Sequence, residues 1–129
     1  MGLCTSKEPK LDLDKYLGRW YEVARNQKEN GYRVFDYHSG MKDELIVVEW
    51  LYQGHVTPRK QVRRVSLEGS NLIDGWRVLS TNYRDFSFLT ATGACRILSR
   101  RQKISPGEKE RLEEQLLNLG HLDDELEWL

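Results

Sequence analysis

Arg59, Lys60, Arg63 and Arg64 place four basic residues within six positions. Guanidinium groups at that density suit a carboxylate or phosphate headgroup. The same residues lie in TPRKQVRRVSLE, residues 57–68, whose period of two also reads as the solvated face of a strand. Glu22, Ala24, Tyr37, Trp50, Tyr52, Trp76, Phe86 and Phe88 are candidates for the wall of an apolar ligand pocket. Such pockets are mostly apolar or aromatic with a few polar anchors. Alternation along a strand does not decide which face each of these aromatics takes.

Hydrolytic and redox chemistry has little to work with. There is no HExxH, Gly-x-Ser-x-Gly or CxxC, and His38, His55 and His121 fall at predicted turns. Cys4 and Cys95 are far apart with no metal-type spacing, which leaves both a disulfide and two thiols open. The expectation is a protein that binds rather than catalyses, without cofactor or metal. The opening residues MGLCTS fit the N-myristoylation pattern, with Gly2 as acceptor, Ser6 closing it and Cys4 available for a second acyl group. One myristoyl chain binds membrane only marginally, roughly 10⁴ M⁻¹, so the second signal matters. The alternative is an arbitrary flexible start over residues 1–10.

The elements that position these residues are read from periodicity and punctuation. Strands are expected over Tyr32–Tyr37, Glu44–Gln53, Thr57–Glu68, Trp76–Tyr83, Phe86–Thr92 and Ala94–Arg100, separated by turns rich in Gly, Asn and Asp. Asn26–Gly31 reads as a polar loop, and Leu72-Ile73 as a very short apolar segment between Gly69-Ser70-Asn71 and Asp74-Gly75. Ser105-Pro106-Gly107-Glu108 predicts a helix start with a capping box and Pro at N1. Leu112, Leu116 and Leu119 form its apolar stripe, and Gly120 suits C′.

The organising stretch is Asp12–Arg25, DLDKYLGRWYEVAR. A carboxylate-led helical turn runs to Gly18, where the chain can turn without a Cβ penalty. From Arg19 the period becomes two, with Trp20, Glu22 and Ala24 on one face. Gly18-Arg19-Trp20 in the context YLGRWYEVAR resembles the first motif of the lipocalins, most like their bacterial outer-membrane and apolipoprotein D-type members. Thr81-Asn82-Tyr83 resembles the second motif, with Asn where Asp is usual, and Arg100 the third.

The resemblance implies an all-β fold with one C-terminal helix: an antiparallel up-and-down barrel spanning residues 1–129 as a single domain. It implies that Asn26–Gly31 is a lid, that Arg100 lies across the Trp20 indole, and that LEWL at 126–129 is a short last strand beside the first. The chain is short for that family, so a trimmed strand at Leu72-Ile73 and a small or laterally open cavity are expected. The implied ligand is a fatty acid or lysophospholipid, bound by a monomer or weak dimer.

Three other readings compete. A lipid-isomerising lipocalin uses a pocket cysteine on an early strand, whereas Cys95 is on a late one. The intracellular fatty-acid-binding barrel carries its helices after the first strand. A protein-interaction barrel without ligand would use the acidic tail, Asp123, Asp124, Glu125 and Glu127.

The totals agree with a small binding barrel. Twenty basic and twenty acidic residues balance, which argues against a dedicated nucleic-acid binder. No apolar run approaches a membrane span, and no apolar signal core stands near the N-terminus. The expected location is cytoplasmic, with attachment to a membrane through N-terminal acylation. The alternative is a secreted or periplasmic protein whose leader has been removed.

Overall fold

The computed structural model describes residues 10–67, 71–120 and 126–129. The proposed acyl acceptors Gly2 and Cys4, the Gly69-Ser70 turn, His121 and the acidic run Asp123–Glu125 lie outside the described residues. Helix α1 (Leu13–Tyr16) leads into strands β1 (Gly18–Arg25), β2 (Tyr32–Ser39), β3 (Glu44–Tyr52), β4 (Arg59–Ser66), β5 (Leu72–Ile73), β6 (Trp76–Thr81), β7 (Phe86–Ala91) and β8 (Ala94–Ser99). Helix α2 (Pro106–Asn118) and strand β9 (Glu127–Trp128) complete the chain.

The strands follow one antiparallel path, β4-β3-β2-β1-β8-β7-β6-β5. The β1–β8 ladder wraps that path into a barrel, so one face of every strand points inward. Strand β9 adds to β1 at Ala24 and Arg25. Pro58 fits the later start of β4, at Arg59 rather than Thr57, because proline has no N–H to give the ladder. Strand β6 ends at Thr81, short of Tyr83, because Tyr83 adopts a φ of 65° in the following turn.

Closure is incomplete. Strand β5 is two residues long and pairs only with β6, and no ladder joins β4 to β5 among the described residues. The trimmed segment expected at Leu72-Ile73 is present but shrunken. A side-chain stitch spans the gap: Arg63 of β4 donates to Asp74 beyond β5 through Nε at 3.0 Å and Nη2 at 2.7 Å.

Two apolar clusters result. Inside the barrel, Trp20, Phe35, Tyr37, Leu45, Val47, Val78, Leu89 and Leu98 pack around Tyr16 and Leu11, which plug one end. Outside it, α2 lays Leu112 and Leu116 on Val23, Ala24, Phe88 and Ile97. Leu119, expected in the same stripe, is the helix C-cap and is 40% exposed. The capping box forms as expected: Ser105 Oγ accepts from Glu108 N at 3.2 Å and Glu108 Oε1 accepts from Ser105 N at 3.1 Å. Trp128 Nε1 donates to Glu113 at 2.7 Å, tying β9 to the helix.

Because α2 is a single short helix clamped at its start, Ser105→Ala should lower stability by about 1 kcal/mol. Urea unfolding of the two proteins measures this, and Ser105→Asp, which keeps the cap acceptor, should lie close to wild type.

Candidate binding site

The closed end sets the position of everything above it. Trp20 is fully buried at the foot of β1, and its Nε1 donates to the Tyr16 carbonyl at 2.9 Å. The Arg100 guanidinium lies over the indole, Cζ 3.8 Å from the ring centroid. Its N–H groups reach the carbonyls of Tyr83 (3.0 Å), Arg19 (3.1 Å), Lys15 (3.0 Å) and Tyr16 (3.3 Å). Lys15 and Tyr16 end α1, where carbonyls lack intrahelical partners, so one arginine satisfies the helix end while covering the aromatic face.

Gly18 is required twice: its φ is 103°, and a Cβ there would stand 3.2 Å from Arg100 Nη1. Asn82 takes over the turn role of the usual aspartate, with Oδ1 accepting from Asp85 N at 2.9 Å and Phe86 N at 3.0 Å. Burial, the largest effect, and then the neighbouring Tyr37 push the Tyr16 phenol well above its ordinary pKa. It stays a neutral hydrogen-bonding group, 2.8 Å from Ser87 Oγ.

Above this plug the interior changes character. Glu22, on the lumen side of β1, binds Arg25 Nη1 through Oε1 at 2.8 Å and accepts from Arg33 N at 3.1 Å. Arg25 in turn donates to the carbonyls of Gln27 (3.1 Å), Glu29 and Gly31 (2.7 Å), which shapes the loop between β1 and β2. Arg33 holds Glu29 and, through Nε at 3.0 Å, Glu49. Glu49 receives Arg63 at 2.9 Å. The Arg33 guanidinium beside Glu29 holds that carboxyl below its ordinary range, with burial opposing. Burial lowers the pKa of Arg63, but Asp74 and Glu49 outweigh it, and its charge is reinforced.

Arg96 of β8 stands apart within this group. Its Cζ lies 3.9 Å from the Trp76 ring centroid and 5.0 Å from that of Phe35. Its Nε is 3.3 Å from Glu22 Oε2, yet neither atom has a hydrogen-bond partner among the described residues. Burial, only partly offset by Glu22, lowers its pKa from the ordinary arginine value. Arg96 is thus a largely enclosed cation close to two aromatic rings, ion-paired to Glu22 but with its Nε donating no hydrogen bond among the described residues. A cavity of about 370 Å³ opens at the mouth, lined by Arg33, Glu49, Leu51, Arg59, Lys60 and Gln61.

The expected ligand-wall residues divide between faces. Glu22, Tyr37 and Trp76 face the lumen. Ala24, Phe86 and Phe88 belong to the cluster beneath α2, outside the barrel. A register shift between Glu22 and Ala24 breaks the alternation that put them on one face. Trp50 and Tyr52 are on the outer surface: Trp50 donates to Asp36 at 3.0 Å beneath Lys60, and Tyr52 stacks on Tyr32 at 5.0 Å.

The basic cluster also divides, with Arg59 and Lys60 at the mouth, Arg63 in the stitch and Arg64 beside Glu44. Sequence reasoning missed Arg25, Arg33, Glu49 and Arg96. For Arg33, Glu49 and Arg96 the available signal was parity, since they share a face with Phe35, Val47 and Leu98; Arg25 joins them only through the irregularity between Glu22 and Ala24.

Two outcomes are expected. Arg100→Met, which keeps the stem but removes the charge and its donors, should cost about 2–4 kcal/mol in urea unfolding, with little rescue by Arg100→Lys, whose single ammonium cannot span the same carbonyls. Glu29 has a depressed carboxyl, so it stabilises the native state above its unfolded pKa of about 4.3 and stops doing so as pH falls through the lower folded value. Glu29→Gln should therefore lose less stability than wild type on going from about pH 5 to about pH 3, read from urea midpoints.

No protein-family model matches the chain, and no curated protein matches it by sequence. Solved structures do match in shape. A siderocalin, Ex-FABP, described as working through dual ligand specificities, is 18% identical with a TM-score of 0.64, covering 89% of this chain and 93% of its own. The cockroach allergen Per a 4 is 16% identical at a TM-score of 0.76, over 98% and 92%. Apocrustacyanin C1 is 13% identical at 0.68, over 91% and 78%. With the near-closed antiparallel barrel, the indole–guanidinium clamp and the external helix, these likenesses establish the architecture: the chain has the lipocalin fold.

Proposed function

We propose that the barrel binds a small amphipathic molecule with an anionic head, of the fatty-acid or lysophospholipid class. The observation that carries this is Arg96. A largely enclosed guanidinium close to the Trp76 and Phe35 rings, whose one near carboxylate, Glu22, stands at ion-pair distance without a hydrogen bond to its Nε, suits a planar carboxylate or a phosphate. Arg59 and Lys60 at the mouth add an attractive field for such a head on its way in. The ligand sits in the upper half, because Tyr16, Trp20, Phe35 and Tyr37 fill the lower half. A mouth cavity of about 370 Å³ is near the small end of ligand pockets, roughly 300–1,000 Å³.

The lipid-isomerising alternative is disfavoured by placement. Cys95 neighbours Arg96 on β8 and so takes the opposite, outward face, as Ile97 does under the helix. Its thiol is out of reach of a molecule held by Arg96. The shapes that match include a ligand-binding siderocalin, which supports the binding reading over the docking one.

Titration with a fluorescent fatty acid tests this. Saturable binding in the micromolar range is expected, weakened roughly tenfold or more by Arg96→Met, since a charged hydrogen bond is worth about 1.5–3 kcal/mol. Arg59→Ala, an exposed rim change, should weaken it less and leave folding intact. The methyl ester should compete poorly. An absent saturable signal, or equal competition by the ester, overturns the proposal.

A further inference from the structure

The lumen reading leaves a second cavity without a role. It lies outside the barrel, between α2 and the outer faces of β6 and β7, and measures about 450 Å³. Phe86, Phe88 and Leu112 make an apolar floor, with Arg111, Gln115 and Asn118 along its rim. Its volume is within the roughly 300–1,000 Å³ range of small-molecule sites.

A smaller cavity of about 120 Å³ adjoins it. Ser80 and Thr81 line both, and Lys10 and Leu11 help line the smaller one. The described chain therefore starts beside one end of the groove, and nine residues, 1–9, precede it. They carry Gly2 in the acyl-acceptor pattern Met-Gly-x-x-x-Ser. From Gly2 to Lys10 an extended chain spans up to roughly 26 Å. Helix α2, thirteen residues long, is roughly 20 Å from end to end. A chain attached at Gly2 can thus lie along the full groove.

We propose that the groove under α2 is the seat of a fatty acyl chain carried on Gly2, so that the protein holds its own membrane anchor until released. Once Met1 is removed, the acyl group passes from a thioester carrier to the Gly2 α-amine. An amide bond forms, the thioester bond breaks, and the carrier leaves as a thiol that takes up the amine's proton. The apolar chain then has two competing places, the Phe86–Phe88–Leu112 floor and a lipid bilayer. Because a single myristoyl chain binds membrane only marginally, at roughly 10⁴ M⁻¹, even modest occupancy of the groove keeps the protein off the membrane. Release lets Lys7 and Lys10 face anionic lipid beside the inserted chain. This device uses the outer face of the barrel and is independent of the lumen and its ligand.

The experiment uses the full chain expressed with and without an N-myristoyltransferase. Intact mass should show one added myristoyl group, absent in Gly2→Ala. Ser80→Glu and Gln115→Glu each place a carboxylate at the groove, where both residues are exposed. On zwitterionic phosphatidylcholine vesicles, the acylated groove variants should sediment roughly threefold or more over acylated wild type, since apparent affinity scales with the released fraction. Their unacylated forms should not bind. Acylation should raise the melting temperature of wild type by a few degrees and leave that of Ser80→Glu unchanged. An unmodified mass, equal sedimentation of acylated wild type and groove variants, or a melting temperature indifferent to acylation overturns the proposal.

Discussion

The contact between Arg100 and Trp20 is the constraint on which the rest of the barrel depends. A guanidinium over an indole is worth about 0.5–2 kcal/mol depending on desolvation, and that alone would be a modest tie. Its weight comes from what the same group does with its donors. It satisfies carbonyls at the end of α1, on β1 and in the β6–β7 turn, adding to the Trp20–Tyr16 and Asp12–Tyr83 hydrogen bonds between the same segments. The first and last barrel strands and the plug are thus referred to a single planar cation. Gly18 follows from this arrangement, since its positive φ strains any other residue and a Cβ would crowd Arg100 Nη1 at 3.2 Å.

The upper barrel works under a different rule. Arg25, Arg33, Arg63 and Arg96 meet Glu22, Glu29, Glu49 and Asp74 in a network that crosses β1, β2, β3, β4 and β8. Burying such charges is costly, and a buried ion pair is weak evidence for added stability. What the network does is directional. Arg25 orders the loop at residues 26–31, Arg63 reaches from β4 to Asp74, and Glu22 Oε2 faces Arg96 Nε as an ion pair at 3.3 Å in which neither atom has a hydrogen-bond partner among the described residues. An ion pair kept from water without a direct hydrogen bond is expensive to hold, which is why the proposed ligand position is argued from that pair rather than from the more numerous aromatics.

The shortened β5 links the two halves. A full-length strand there would hydrogen-bond β4 and close the wall. Among the described residues the two of β5 pair with β6 alone, and an ion pair from Arg63 to Asp74 links β4 to that side. The apolar plug does not need the missing strand, because Ile73, Val65 and Leu67 still pack against it. A cavity of about 650 Å³ lies beside β5 instead, lined by Leu11, Leu13, Leu67, Leu72 and Ile73.

Local sequence was enough for features whose physics is local or whose partners are few. The glycine pivot at Gly18, the capping box at Ser105 and Glu108, the C′ glycine at 120, the turn at Asn82 and the pairing of Trp20 with Arg100 were all legible, because each is defined by residue type and short spacing or by a resemblance carried on those residues. The faces of Ala24, Trp50, Tyr52, Phe86 and Phe88 were not. A one-residue irregularity between Glu22 and Ala24 inverts the side on which every later residue of β1 falls, and nothing in the local pattern announces it. Strand β3 is apolar on both faces, so only its neighbours decide which side is core. Arg96 reads along the chain as a solvated strand residue. Trp76 and Phe35, contributed by strands far away in sequence, make it a buried cation, and only the closed sheet brings them together.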